Sequence, residues 1–217
     1  WAKWKNDTLA GKKYIVQGFG NVGQWSAHFM KEEGAVLIAV QDHTGTIINT
    51  SGIDPVALLE YAKGNNGGVS GFSGAVEMEG SGFFGLDVDV IIPAALGGQI
   101  NASNASMVKA KVIAEGANGP IDTQGEVELI KKDIMIIPDI LCNSGGVIGS
   151  YYEWLQNRNG EIWQMEDVMD RLEKKLKISF NRVVQAGEEY KCDWRTAAYI
   201  VAIKRIEMTY KERGVFP

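Results

Sequence analysis

The sequence predicts an α/β protein: a doubly wound, mostly parallel sheet covered by helices, followed by additional carboxyl-terminal helices. Three observations carry that expectation. The apolar run Tyr14-Ile15-Val16 passes into glycines spaced Gly18-x-Gly20-x-x-Gly23 and then into an amphipathic stretch, the order of a strand, a tight turn and a helix start. Strand-like and helix-like segments alternate from there to Pro138, as they do where parallel strands are joined by crossover helices. After Gly146 the apolar residues recur at helical spacing almost to the end of the chain.

Taken in order, residues 1–10 read as a lead-in, with Trp1 and Trp4 on one face of a short terminal helix as core residues, or else as cover for a neighbouring domain. Residues 11–146 read as a Rossmann-type dinucleotide-binding core and 147–217 as helices packing on it. Within the core, Gly18 permits the tight turn, Gly20 lets a diphosphate approach the backbone, and Gly23 lets the helix pack against the strand. The helix amino terminus offers unpaired N–H groups and the positive end of its dipole, so it favours an anion. The cofactor residues expected from this segment are Gly18, Phe19, Gly20, Asn21, Val22 and Gly23.

Val22, Trp25, Phe29 and Met30 carry the first helix to Glu33, and Ala35 to Val40 forms a second buried strand that ends at Asp42. Asp42 stands nineteen positions past Gly23, where a carboxylate can accept both hydroxyl protons of an adenosine ribose and repel the extra phosphate of NADP. Its alternative use is to organise the turn Asp42-His43-Thr44-Gly45; the complete fingerprint favours the cofactor role, and with it NAD. Asp54-Pro55 starts a helix that Gly64 ends. Residues 65–85 are rich in Gly and Ser and read as loop, with a small hairpin piece at 76–79. Strands follow at 87–93, 111–115 and 134–138, and the last helices span about 147–157, 165–189 and 194–213, the final one capped by Asp193.

Ligands of open α/β sheets bind outside the carboxyl ends of the strands. The clusters Ala94-Ala95, Gly116 to Gly119 and Asn143 to Gly146 are therefore expected to converge on one crevice. Ser150 shares a helix face with Val147 and Trp154; its hydroxyl either meets a ligand or bonds back to a carbonyl one turn earlier, and the pattern alone does not choose. Lys109 and Lys111 precede a strand, at the wrong end for the crevice, and are not promoted to catalysts.

The 217 residues allow one large or two small domains, and the formal net charge of -5, with no basic stretch, excludes nucleic acid as the main partner. No apolar run approaches the roughly 18 residues a bilayer span requires, and no charged amino-terminal region leads an apolar core, so the expectation is a cytoplasmic chain without a membrane partner. Cys142 and Cys192 form no disulfide framework and suit a reducing compartment as small buried hydrophobes. Neither they nor His28 and His43 make a metal site; both histidines read as surface or packing residues.

Gln17-Gly-Phe-Gly-Asn-Val-Gly23, Ala114-Glu-Gly-Ala-Asn-Gly-Pro120, the run from Pro138 to Trp154 and Arg195-Thr-Ala-Ala-Tyr199 resemble glutamate dehydrogenase, in the order and spacing of that family's cofactor-binding half. The resemblance covers essentially the whole chain. It implies oxidation of L-glutamate to 2-oxoglutarate and ammonia, with hydride passing to NAD, and it leaves NADP or dual use open. It implies that Asn118 and Asn143 lie near the nicotinamide and its ribose. It places Ser150, with its face neighbour Val147, at the substrate's side-chain carboxylate. The family's catalytic lysine motif and catalytic aspartate belong to an amino-terminal substrate domain and have no counterpart in these 217 residues. No catalytic residue is therefore expected here, and the chain alone should bind dinucleotide without turnover.

The start at Trp1 suggests a processed or cut chain. The small amino-acid substrate would bind only with the substrate domain, and the complete enzyme would be a homo-oligomer. Two other expectations compete: the coenzyme domain of a related leucine, phenylalanine or valine dehydrogenase, whose pocket has no use for the Ser150 hydroxyl, and a non-catalytic nucleotide-binding or interaction module.

Overall fold

The computed structural model describes residues 1–214. These fall into two compact units, Trp1–Ile136 and the residues from Ile137 onward.

The first unit is built on β1 (Lys13–Gln17), which pairs in parallel with β2 (Val36–Gln41) on one side and β5 (Val90–Pro93) on the other. Parallel strands covered on both faces need unbroken apolar runs, and Tyr14, Ile15 and Val16 are all fully buried. Beyond β5 lies β6 (Val112–Ala114), also parallel, and then β7 (Met135–Ile137). Beyond β2 the sheet turns antiparallel through β3 (Thr46–Ile48) and β4 (Val76–Glu77). The order β4-β3-β2-β1-β5-β6-β7 makes one seven-stranded sheet with its chain reversal at β1 and β5.

One face of β1 is covered by α1 (Asn21–Glu32): the Tyr14 hydroxyl donates to the Ala27 carbonyl at 2.7 Å, and burial drives its ionisation well above the ordinary tyrosine range. On the core side, Ile15, Ala39, Ile91 and Ile113 pack with Phe83, Phe84 and Ile100. The helix α2 (Pro55–Gly64) begins as expected, with Asp54 accepting from the Val56 N–H at 2.9 Å.

Three features differ from the sequence expectation. A helix, α3 (Thr123–Lys131), fills the stretch before β7; Asp122 caps it, accepting from the Gly125 N–H at 2.6 Å, and Leu129 is its fully buried anchor. The strand β3 is too short for three residues to show an alternation. Residues 1–6 form turns in place of a helix, with Trp4 exposed and the Lys5 ammonium over its ring.

The second unit comprises α4 (Asp139–Cys142), α5 (Ser144–Asn159), α6 (Met165–Tyr190) and α7 (Trp194–Arg213). Its core is Leu141, Val183, Ala186, Ala197 and Ala198, with Phe180 edge-on to Trp194. Leu141, from α4, packs into this helical cluster. Asp193 caps α7, accepting from the Thr196 N–H at 2.9 Å. Arg195 pairs with Asp139 at 3.1 Å, tying the start of α7 to the start of α4. Both cysteines are half-buried where full burial was expected, because Cys192 only borders the cluster.

Candidate functional site

The carboxyl ends of β1, β2 and β5 open on a crevice of about 720 Å³, within the size range of small-molecule and cofactor sites. Its lining includes Gly18, Phe19, Gly20, Asp42, Ala94 and Ala95, so six of the residues singled out in the sequence meet here.

The turn from β1 to α1 explains why glycine occupies two of its three positions, Gly18 and Gly23. Gly18 has φ +85°, and a Cβ on it would stand 2.8 Å from the Ala94 carbonyl oxygen and the Ala95 backbone. On Gly23 a Cβ would overlap the Gly18 carbonyl oxygen and lie 2.9 Å from its carbon, so α1 rests directly on the turn. Gly20 differs: a Cβ there meets no atom within 4 Å. It is also the residue that begins α1, with extended backbone, no side-chain cap and no acidic residue in the first helical turn. The first N–H groups of a helix have no partners within it, and here they border the opening. Asn21 and Val22 are exposed beside them, the Asn21 side-chain Oδ1 accepting from the Gln24 side-chain amide at 3.0 Å.

Asp42 follows β2, its side chain only 4% exposed. Its Oδ1 accepts from the Thr44 N–H at 2.7 Å and from the Thr44 hydroxyl at 2.6 Å, and its Oδ2 accepts from the Val69 N–H at 3.0 Å. The turn-organising use is thus present in the same carboxylate that lines the crevice. A carboxylate has about four acceptor positions; three are spent, and one on Oδ2 is left. His43 lies exposed on the rim with Nδ1 3.9 Å from that oxygen.

Three amides under the crevice were not anticipated. The Gln17 amide nitrogen donates to the Gln41 and Gln99 side-chain oxygens, both at 3.0 Å, and the Gln41 amide donates in turn to the Thr46 hydroxyl at 3.0 Å. The Gln17 oxygen is buried without a partner. The signal was available: Gln17 and Gln41 each close an apolar strand with a polar residue.

The loop after β6 sits beside the crevice. The Gly116 and Ala117 N–H groups donate to the Pro93 carbonyl at 3.0 and 2.9 Å, and the Gly98 N–H donates to Gly119 at 2.9 Å. Ala94-Ala95 and the 116–119 cluster therefore lie together, with Asn118 exposed. Asn143, Val147 and Ser150 belong to the second unit. Val147 is 75% exposed, and Ser150 is exposed on the same helix as Tyr151 and Trp154, whose rings stack at 5.9 Å. Among the described residues the Ser150 hydroxyl bonds no carbonyl one turn back, unlike Ser26, which donates to Val22 at 2.8 Å. Lys111 pairs with Asp89 at 2.7 Å ahead of β6, at the edge of the sheet away from the crevice. Among the described residues no cluster of His, Cys, Asp and Glu could hold a metal, and no helix is long and apolar enough to cross a membrane.

A parallel sheet with a glycine turn and an uncapped helix start at its point of chain reversal defines the class: a Rossmann-type α/β domain with appended helices. Residues 1–214 match the family model of glutamate/leucine/phenylalanine/valine dehydrogenases, and the chain belongs to that family of nicotinamide-dependent amino-acid dehydrogenases. It is 43% identical to the glutamate dehydrogenase of Thermotoga maritima over 203 residues, covering 93% of this chain and 49% of the relative. Among solved structures it is similar to the hetero-hexameric glutamate dehydrogenase of Thermus thermophilus, with a TM-score of 0.91 at 29% identity over 100% of this chain and 51% of the other. It is also similar to that of Peptoniphilus asaccharolyticus, with a TM-score of 0.83 at 33% identity, covering 99% and 50%. The chain spans about half the length of the relatives it matches.

Proposed function

We propose that this chain is the NAD-binding coenzyme domain of a glutamate dehydrogenase. The observation that carries the reading is the pairing of open space at Gly20 with an uncapped helix start in the same crevice. A diphosphate needs both: room to reach the backbone, and N–H groups free to meet it. In this reading the N–H groups from Phe19 to Val22 hold the diphosphate, and the remaining acceptor of Asp42 takes one ribose hydroxyl. Ala94 and Ala95 form an apolar wall.

NAD is favoured over NADP because a second phosphate on that ribose would face the Asp42 carboxylate. Among the described residues no Lys or Arg lines the crevice to offset it.

A bound dinucleotide would supply the hydride acceptor for oxidation at the α-carbon of the amino acid. Asn118 and Asn143 serve the nicotinamide and its ribose, and Ser150, beside Val147, serves the substrate's distal carboxylate. The base and the cation that polarises the reacting carbon come from a substrate domain, and the complete enzyme assembles as a homo-oligomer. The leucine, phenylalanine and valine alternatives would leave the exposed Ser150 hydroxyl without a ligand.

Titration of the 217-residue chain with NADH, followed by nicotinamide fluorescence, tests the reading. Saturable binding is expected, with no glutamate-dependent reduction of NAD. A folded chain showing no affinity at millimolar NADH refutes the cofactor assignment, and turnover of glutamate by this chain alone refutes the division of labour.

A further inference from the structure

The Gly- and Ser-rich stretch after α2 carries no motif, yet side-chain hydrogen bonds pin it at several points. The Thr44 hydroxyl is the hub. It donates to Asp42 Oδ1 at 2.6 Å and accepts from the Val69 and Ser70 N–H groups, both at 3.1 Å. Val69 is fully buried and its N–H also reaches Asp42 Oδ2 at 3.0 Å. Behind this line the Tyr61 hydroxyl donates to the Ser70 carbonyl at 2.7 Å. The Asn65 amide donates to Gly68 and Ser70 at 3.1 and 3.2 Å, and Glu77 accepts from the Ser70 hydroxyl and the Gly71 N–H at 2.8 Å each. Gly68 is buried against Thr44 so closely that a Cβ would overlap its methyl group and lie 2.9 Å from its hydroxyl oxygen.

Nothing in the diphosphate turn requires this clamp. Its consequence is local: the Asp42 carboxylate cannot rotate, because both of its oxygens are fastened to backbone that is itself fastened. A carboxylate free to turn away or to be screened would tolerate a phosphate on the neighbouring ribose; one held in place would not.

We infer that Thr44 is the positioning residue for cofactor selectivity: through its hydroxyl it fixes Asp42 and the 67–71 loop as one wall of the crevice, so that a dinucleotide with a free ribose 2′-hydroxyl is accepted and one with a 2′-phosphate is refused. The inference rests on the assignment of the crevice to a nicotinamide dinucleotide and extends it to a residue that touches no ligand.

The test compares NADH and NADPH dissociation constants, by fluorescence titration of the full chain, for the wild type and for Thr44→Val, Thr44→Ser, Gly68→Ala and Asp42→Asn. The readout is the ratio of the two constants, which a general loosening of the fold would leave unmoved. Thr44→Val should lower the preference for NADH about tenfold or more, the factor associated with losing one hydrogen bond to a charged group. Thr44→Ser should keep it. Gly68→Ala, which drives Thr44 from its place, should act like Thr44→Val and carries the test if that variant fails to fold. Asp42→Asn should abolish the preference. An unmoved ratio in Thr44→Val or Gly68→Ala alongside a collapsed one in Asp42→Asn overturns the role of Thr44 alone. A wild type that binds both nucleotides equally overturns the selectivity, and one that binds neither overturns the cofactor reading beneath it.

Discussion

Two glycines three residues apart should respond to the same substitution in opposite ways. At Gly23 an added methyl overlaps the Gly18 carbonyl oxygen, lies 2.9 Å from its carbon and 3.1 Å from Val16 Cγ1. Neither neighbour can yield: one is backbone of the turn, the other belongs to a fully buried strand residue. Overpacking of this kind costs about 1–3 kcal/mol, and contact with backbone puts Gly23→Ala near the top of that span. Helix propensity returns about 1 kcal/mol, so the net loss is about 2 kcal/mol. For a chain of this size that is roughly 4–8 °C in melting temperature.

At Gly20 the methyl enters empty space with φ -78° and ψ -162°, which alanine adopts without strain. The poorer cap and the stiffer unfolded chain offset each other to within about 0.5 kcal/mol, so Gly20→Ala should melt with the wild type. It should nevertheless lose NADH affinity by about tenfold or more, because the methyl occupies the approach to charge-assisted N–H contacts. Thermal denaturation and NADH titration on both variants give four numbers. Undiminished NADH affinity in Gly20→Ala refutes a diphosphate over that residue, and an unchanged melting temperature in Gly23→Ala refutes the packing of α1 on the turn.

Further expectations concern the scaffold. Asp193→Ala removes the α7 cap and should cost about 1 kcal/mol in urea denaturation, with Asp193→Asn nearly neutral. Leu129→Ala opens a cavity behind the sheet at a fully buried position and should cost about 2–5 kcal/mol, read from the same denaturation midpoint. Three carboxyls titrate below their ordinary range: Asp54 through the Lys31 hydrogen bond, and Asp89 and Asp193 because hydrogen bonds outweigh the effect of their burial. The unfolded chain therefore binds protons first. Their contribution is complete above about pH 4 and drains away as pH falls further. A urea midpoint that holds constant from pH 5 to pH 3 would contradict this.

The parts of the fold legible in the sequence are those where a single physical demand writes the pattern. Burial on both faces wrote the continuous apolar runs of β1, β2 and β5, and capping chemistry wrote Asp54-Pro55 and Asp193. Where demands mix, the pattern blurs. The helix α3 carries Glu and Lys around one anchoring leucine, and its glycine at 125 is dictated by the Ile100 carbonyl, 2.8 Å from where a Cβ would stand. At the crevice the glycines could be read from their spacing, and at Gly18 and Gly23 the backbone itself excludes a side chain. The full clamp on Asp42 could not: the turn to Thr44 is local, but Gly68 and Val69 lie more than twenty residues further along the chain and are joined to it only by folding.

The crevice keeps ionised groups away from its floor. Its floor is made of neutral amides, with Gln17 donating to both Gln41 and Gln99. An ionised group buried there would have required a partner or paid a large desolvation penalty; an amide network spans the strand ends without one. In the proposed reading, attraction for a diphosphate comes from the start of α1, and discrimination at the ribose from Asp42 as Thr44 holds it. Because the two effects lie at separate points and, among the described residues, no Lys or Arg in the lining couples them, affinity and selectivity should vary independently. Gly20→Ala should weaken NADH and NADPH by the same factor, whereas Asp42→Asn should change their ratio; a Gly20→Ala protein with an altered ratio would show that the two are not separable.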